Sequence, residues 1–350
     1  MRKLVSIREV LEINPIPDAD SIEAVTFDGW DVVSGKGNFA VGDRAVYFEI
    51  DSFLPSGDPR WQDLVTRSSR TYNGVVGHRL RTVKLRKKVS QGFAIPLREF
   101  PEIAQYLADN PDADAGMDFA ELLGVVKWEP PMPAELAGVA RGNFPSFIRK
   151  TDQERIQNCK RVLADNTATY ERSLKLDGSS ETVYHNNGVS GVCSRNLDLV
   201  LDESNSHNTF IKLARESGLL DAVTNSGRNI AVQAELCGEG IQGNREKIVG
   251  HKLFVFDVFD IDAQEYIAPV ERRALVGELL KTCNGKLIQH IPVLDEAFVI
   301  APGTTVKDML DAAEGASLVH PIREGDVYKR NDGKGSFKAI SNRFLLKEAD

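Results

Sequence analysis

The chain has 350 residues, 42% of them hydrophobic and 27% charged, with a net charge of −8. That length predicts two domains rather than one small core, and the acidic balance excludes a protein that coats nucleic acid indiscriminately. No apolar run is long enough to span a membrane. Glu9 and Glu12 interrupt the N-terminus before a signal peptide could form. The four cysteines (Cys159, Cys193, Cys237, Cys283) are scattered, with no C-x-x-C pair. They predict neither a disulfide framework nor a zinc site, and a reducing, cytoplasmic compartment fits them.

In chain order, residues 1–98 read as short strands broken by turn chemistry at Asp28-Gly29, Gly35-Lys36-Gly37 and Gly42-Asp43. A second strand-like run, GHRLRTVKLRKKVSQGFAIPL, ends at Pro96. Strands at this spacing in about a hundred residues predict a small barrel. Residues 99–150 are acidic, contain proline and are weakly helical, the pattern of a surface connector. From residue 151 the pattern is α+β. A helical start at TDQERIQNCKRVLAD precedes strands near 170–175, 182–186 and 190–194. A helix near 206–218, strands at 229–237 and 252–261, and helices near 268–282 and 305–314 come next. Strands near 325–330 and 335–340 close the domain.

The first of these later strands runs into SLKLDGSSETVY, where Lys175 stands two residues before Asp177-Gly178. An Asp-Gly after an apolar run is a common turn signal and proves nothing alone. Five further features follow, each with a bland reading. Ser194-Arg195-Asn196 ends a strand. Glu235 interrupts the apolar strand VQAELCGEG, a costly position for a carboxylate without a partner. KLFVFDVFDI carries Phe254 and Phe256 at period two, for which core packing is the default. REGDVYKR places Glu324 and Gly325 before a strand bearing Lys329, and GSFKAISNRFLLK buries Lys338 in an apolar run.

Together, in this order, they resemble the covalent nucleotidyltransferase superfamily of ATP-dependent ligases and mRNA capping enzymes. FPSFIRKTDQERIQN, with VGDRAVYFEIDSFLPS and LRTVKLRKKVSQGFAIPL near the N-terminus, is similar to the Deinococcus-type RNA ligases. The resemblance implies an α+β chain. An N-terminal OB-fold β-barrel (1–98) and a connector (99–150) lead to a nucleotidyltransferase domain (151–350), an ATP-grasp-like ligase adenylation domain of antiparallel sheets and helices. DNA ligases and capping enzymes carry a trailing OB domain. Only nine residues follow Ser341, so none is expected here.

The implied activity is ATP-dependent sealing of 3′-OH/5′-PO4 breaks in RNA, in nicked duplexes, through a lysyl-AMP and an AMP-capped 5′-phosphate. Lys175 is then the nucleophile. It must be neutral to attack, and a neighbouring cation, Lys338 or a metal ion, would lower its pKa. Lys338 would also hold the α-phosphate. The superfamily's second lysine falls on Ile340, and Lys329 is expected to take its place. Asp177, Glu235 and Glu324 would repel one another without a counter-ion, which points to Mg2+ or Mn2+. Glu235 has a competing assignment to the ribose hydroxyls. Arg195 would contact ribose or RNA phosphate, and Leu174 would offer backbone contacts to the base edge. Phe256, or Phe254 on the same face, would stack on adenine.

HRLRTVKLRKK carries Arg79, Lys84, Arg86, Lys87 and Lys88. It is expected to track RNA phosphates as OB folds do, against the alternative of a charged, solvated edge strand. Arg155 is added as a contact for the 5′-phosphate end. No membrane or protein partner is implied. Other readings are a DNA ligase, a capping-type guanylyltransferase, or a non-catalytic OB-type RNA- or tRNA-binding protein.

Overall fold

The computed structural model describes residues 3–27, 29–62, 64, 69–72, 74–110, 113, 117–128 and 139–347. Asp28 of the first expected turn and residues 129–138 of the expected connector lie outside the described residues. The chain divides into two compact units, residues 1–132 with 345–350, and residues 133–344. Among the described residues no helix is long and apolar enough to cross a membrane.

In the first unit, Arg44–Phe48 lies between Val5–Glu9 and Phe93–Pro96. Neighbouring residues of a strand face opposite ways, and this strand uses both faces. Tyr47 packs with Phe27, Trp30 and Phe39, and Phe48 with Val5, Leu54 and Trp61. The connector expectation is corrected here. Phe100, Ile103, Phe119 and Val125 are buried in the Phe48 core, and the helix Pro101–Asp109 supplies Ile103. The weakly helical pattern concealed a few large apolar residues, and these carry the segment into the barrel's core.

The second unit holds two sheets. In the first, Ile230–Gly238 runs antiparallel between Ser179–Asn186 and His251–Asp260. Ile230, Val232, Ala234 and Leu236 face the helices Thr209–Glu216, Leu219–Asn225 and Pro269–Leu280. Gln233, Glu235 and Cys237 therefore face the other way. In the second sheet, Gly325–Arg330 lies between Thr169–Lys175 and Ser336–Ile340. Tyr170, Tyr328, Phe337 and Ala339 pack on one face with Ile300, Met309 and Leu310. The opposite face carries Glu171, Ser173 and Lys175, paired with Lys329, Val327 and Gly325.

Several expected elements differ in detail. The helical start at 151–165 is instead a short strand Glu154–Arg155, a 3-10 turn and a one-turn helix Lys160–Leu163. The helix near 206–218 is Thr209–Glu216, and a second, unexpected helix, Leu219–Asn225, follows it across Gly218 at φ +79°. The strand Val293–Val299, largely exposed at a sheet edge, shows no clear alternation of apolar and polar residues and so falls outside the expected elements.

A buried ionic network joins elements of both sheets. Arg272, fully buried on Pro269–Leu280, donates to Glu171, itself fully buried, and its guanidinium lies 3.7 Å from Asp257. Lys329 Nζ pairs with Asp257 at 2.8 Å. Removing one partner of such a network leaves uncompensated charge in low dielectric, at about 3–5 kcal/mol. Arg272→Ala is expected to lower the unfolding free energy read from denaturant titration by an amount of that order. A change below about 1 kcal/mol would show the network contributes little.

Glu181 is a second buried ionisable group, without such compensation. It pairs with Ala234 and so faces the helices. It is fully buried, neither carboxylate oxygen has a hydrogen-bond partner, and burial raises its pKa well above the ordinary 4.5. The folded state thus holds a proton that the unfolded state releases as pH rises past that value. Wild-type stability is expected to fall, relative to Glu181→Gln, as pH rises above the ordinary carboxyl value of 4.5. Parallel stability curves for the two proteins would contradict this.

Candidate active site

Lys175 is the last residue of its strand, paired with Gly325 of the next. Its Nζ lies 2.7 Å from Glu324 Oε1. Two glycines allow this convergence. At Gly325 (φ +154°) an added Cβ would stand 2.2 Å from the Ala339 carbonyl oxygen. At Gly178 it would stand 2.5 Å from the Leu236 carbonyl oxygen and 2.8 Å from Glu235 Cγ. Gly178 therefore lets the turn after Lys175 press against the strand bearing Glu235. Four expected residues, Lys175, Asp177, Glu235 and Glu324, come together as one interacting cluster.

The electrostatics there correct one expectation. Burial alone would lower the Lys175 ammonium's pKa, but Glu324, Glu235 and Asp177 outweigh it and raise the pKa. Glu235 is pushed up to about 7, first by burial and then by Glu324 and Asp177, against the pull of Lys175 and Arg195. Lys338 does not create a pre-lowered amine. Its Nζ lies 3.3 Å from Asp152, on the strand beyond Gly325–Arg330, where it pairs with Val327. It shares the Lys175 face of the sheet.

Lys329 is also placed otherwise than expected. It sits four residues along its strand from Gly325, about 13 Å at strand rise. It is buried, and besides Asp257 its Nζ bonds the Phe256 carbonyl oxygen. Burial first, then Arg272, lowers its pKa to about 8. That carbonyl has a reason to need it. Ala234 pairs with Val255 and Gln233 with Asp257, so Phe256 is the extra residue of a β-bulge. Lys329 thus fixes the bulge and cannot stand in for a second phosphate lysine beside Ile340.

Phe254, paired with Glu235, is 2% exposed among Leu174, Leu176, Cys237 and Ile291, while Phe256 keeps partial exposure at that cluster's edge. Leu174 N–H is already donated to the Pro292 carbonyl oxygen at 3.0 Å. Arg195 is exposed just beyond the strand Val189–Cys193.

Metal binding has mixed support from the donors. Glu324 Oε2 is buried without a hydrogen-bond partner, and the raised Glu235 pKa marks excess negative charge. Yet among the described residues no three His, Cys, Asp or Glu are spaced to hold an ion by themselves. The carboxylates fit an ion that takes its other ligands from phosphates and water, as magnesium sites do.

In the first unit, Thr82–Leu85 and Lys88–Gln91 form a hairpin through a two-residue turn, Arg86-Lys87, with φ of +46° and +68°. Such turns favour Asn-Gly, so two long cations there are strained by roughly 1–2 kcal/mol each. Lys84, Arg86 and Lys87 are exposed. Lys88 pairs with Asp31 at 2.9 Å, and Arg79 lies 3.2 Å from Asp51 with its guanidinium 5.5 Å from the Trp128 ring centroid. Arg155 departs from the expected RNA surface: it is 7% exposed and pairs with Lys338.

Comparison with known proteins settles the family. A family model described as an OB-fold domain matches residues 4–97, and one described as RNA ligase matches residues 169–346. Three structures of Naegleria gruberi RNA ligase are each 43% identical to this chain. An apo variant has a TM-score of 0.88, covering 100% of this chain and 99% of that one. The ligase with PPi gives 0.87, covering 100% of both. A variant with ATP and Mn gives 0.86, covering 98% of both. The chain belongs to the RNA ligase family. No curated protein sequence matches it. The ligase is thus an enzyme acting on RNA, with an OB-fold unit before its catalytic unit, as the order of motifs implied.

Proposed function

We propose that this ligase seals 3′-OH/5′-PO4 breaks, specifically nicks in duplexes, with ATP and a divalent metal ion, through AMP bonded to Lys175. The observation that carries the reading is the 2.7 Å pair between Lys175 and Glu324, amid Glu235 and Asp177, on a sheet face shared with Lys338. The related ligase has been solved with ATP and Mn, with AMP and Mn, and with PPi, which supports the co-substrate, the ion and the first leaving group.

Lys175 Nζ forms the bond to the α-phosphorus as the bond to pyrophosphate breaks. The AMP then passes to the 5′-phosphate, and the 3′-OH displaces it. The cluster poses one requirement: the carboxylates favour the ammonium, while attack needs the amine. A bound divalent ion supplies positive charge that offsets those carboxylates and lowers the ammonium's pKa. Asp177, Glu235 and Glu324 are the residues to hold it. Lys338 is placed to meet the α-phosphate as charge shifts during transfer. Arg195 contacts ribose or RNA phosphate, and the partly exposed ring of Phe256 is the stacking surface for adenine. Radiolabelled ATP with Mg2+ or Mn2+ is expected to leave an acid-stable label on the wild type and none on Lys175→Ala. Equal labelling of both would sink the assignment, and label from GTP alone would favour a capping-type reaction.

The Arg86-Lys87 turn supports phosphate binding by the first unit, because a strained tip carrying two exposed cations has no packing reason to exist. Lys84, Arg86 and Lys87 take the phosphate-tracking role, with Arg79 and Lys88 held beside them by Asp51 and Asp31. Reversing charge at Arg86 and Lys87 is expected to weaken RNA binding and flatten its salt dependence, by about one unit of slope for each phosphate no longer neutralised. An unchanged slope would return the hairpin to a solvated edge.

A further inference from the structure

We propose that Glu246 is a positioning residue that sets Glu324 against Glu235, an inference that rests on the lysyl-AMP and metal-ion reading above. The site draws its carboxylates from both sheets. Glu235 belongs to the strand Ile230–Gly238, whereas Lys175 and Lys338 belong to the second sheet and Glu324 to the segment entering it. The turn at Gly178 joins the two sheets on the Lys175 side, between Thr169–Lys175 and Ser179–Asn186. Glu324 arrives by a different route, along residues 314–323. That segment is folded on itself, with Ser317 N–H donating to the His320 carbonyl oxygen and Arg323 N–H to that of Gly315, each at 2.8 Å. A hold on it is therefore a hold on Glu324.

Glu246 supplies that hold from the loop 239–250, directly after the strand of Glu235. The loop is rooted in that strand. Gly238 pairs with His251, and Glu239 N–H donates to the Gly250 carbonyl oxygen at 2.9 Å. A Cβ added to Gly238 would stand 2.1 Å from the same oxygen. Glu246 is 7% exposed. One carboxylate oxygen accepts the Ser317 hydroxyl, and the other accepts the Val319 N–H at 3.2 Å. Charge-assisted bonds to two donors on one short segment fix its orientation as well as its distance. The loop's neighbouring residues rest on the other site-bearing elements. Arg245 lies 4.6 Å from the ring centroid of Phe344, just past the strand of Lys338, and reaches the Ile322 carbonyl oxygen at 3.5 Å. Ile248 packs with Leu174 and Leu176, the residues flanking Lys175. Burial first, then Glu235 and Glu246, raises the pKa of the Cys237 thiol, so the charge of Glu246 is felt two residues from Glu235.

The test measures Mn2+ binding by the full chain in the presence of AMP, from the loss of the free-ion EPR signal, beside self-labelling with ATP. Glutamine keeps one acceptor and turns the other oxygen into a donor, so Glu246→Gln loses one of the two bonds. It is expected to weaken Mn2+ binding about tenfold and to lower the labelling rate at saturating ATP. Ser317→Ala should move both in the same direction, and the double variant should lose less than the two single losses combined. A Glu246→Gln protein that loses stability yet binds Mn2+ and labels as the wild type does overturns the proposal, because the carboxylate is then only structural. Independent, additive losses overturn it as well. Should Glu246→Gln not fold, Ser317→Ala decides, and wild-type Mn2+ binding by that variant overturns the assignment. A wild type that binds no Mn2+ or takes no label would instead sink the metal-ion or the lysyl-AMP reading, a distinct result.

Discussion

The site depends on one electrostatic conflict. A lysine is placed 2.7 Å from a carboxylate and beside two more, and this holds it as the ammonium, whereas the proposed attack needs the amine. Burial opposes that state, but three negative groups at short range win, because Coulombic attraction strengthens in the same low-dielectric site that penalises the charge. The cluster is therefore charge-incomplete by construction. Glu235 near neutrality and the orphaned Glu324 Oε2 report the same excess from the carboxylate side. In the proposed reaction an ATP–metal complex would bring positive charge and phosphate oxygens together, which would couple activation of Lys175 to arrival of its substrate.

Much of the rest of the second unit holds those groups at that range. Gly178 and Gly325 permit backbone approaches that any side chain would block. The helices cover the face opposite Glu235, and the Tyr328 cluster covers the face opposite Lys175. Where the two sheets need a further fastening, Arg272 spans Glu171 and Asp257. Lys329 extends that fastening to the bulge at Phe256. A lysine at the expected position of a phosphate ligand thus has a structural role, and its lowered pKa reflects burial rather than catalysis.

The motif residues were legible in sequence because chemistry fixes their types and the strand period fixes their faces. Glu235 stands where a charged residue breaks an apolar strand pattern, and that anomaly is visible without a structure. What stayed hidden was pairing between distant segments. Nothing local in Lys329 says that a bulge in the other sheet will leave a carbonyl for it. Nothing in the acidic stretch after residue 98 says that Phe100, Ile103 and Phe119 complete the first unit's core. The Arg86-Lys87 hairpin was unreadable for a different reason: the Asn-Gly signature that marks such a turn is replaced by the cations that the turn displays.

His290 shows the same limit for a neutral side chain. In the sequence it is one of six histidines, flanked by Gln289 and Ile291 with no motif around it. Its state is set only on folding. The Ile291 carbonyl fixes its tautomer, and its other nitrogen is buried without a hydrogen-bond partner. Charge makes a lysine or glutamate conspicuous in an apolar strand. A neutral acceptor left unsatisfied gives no such sign, because that property exists only in the fold.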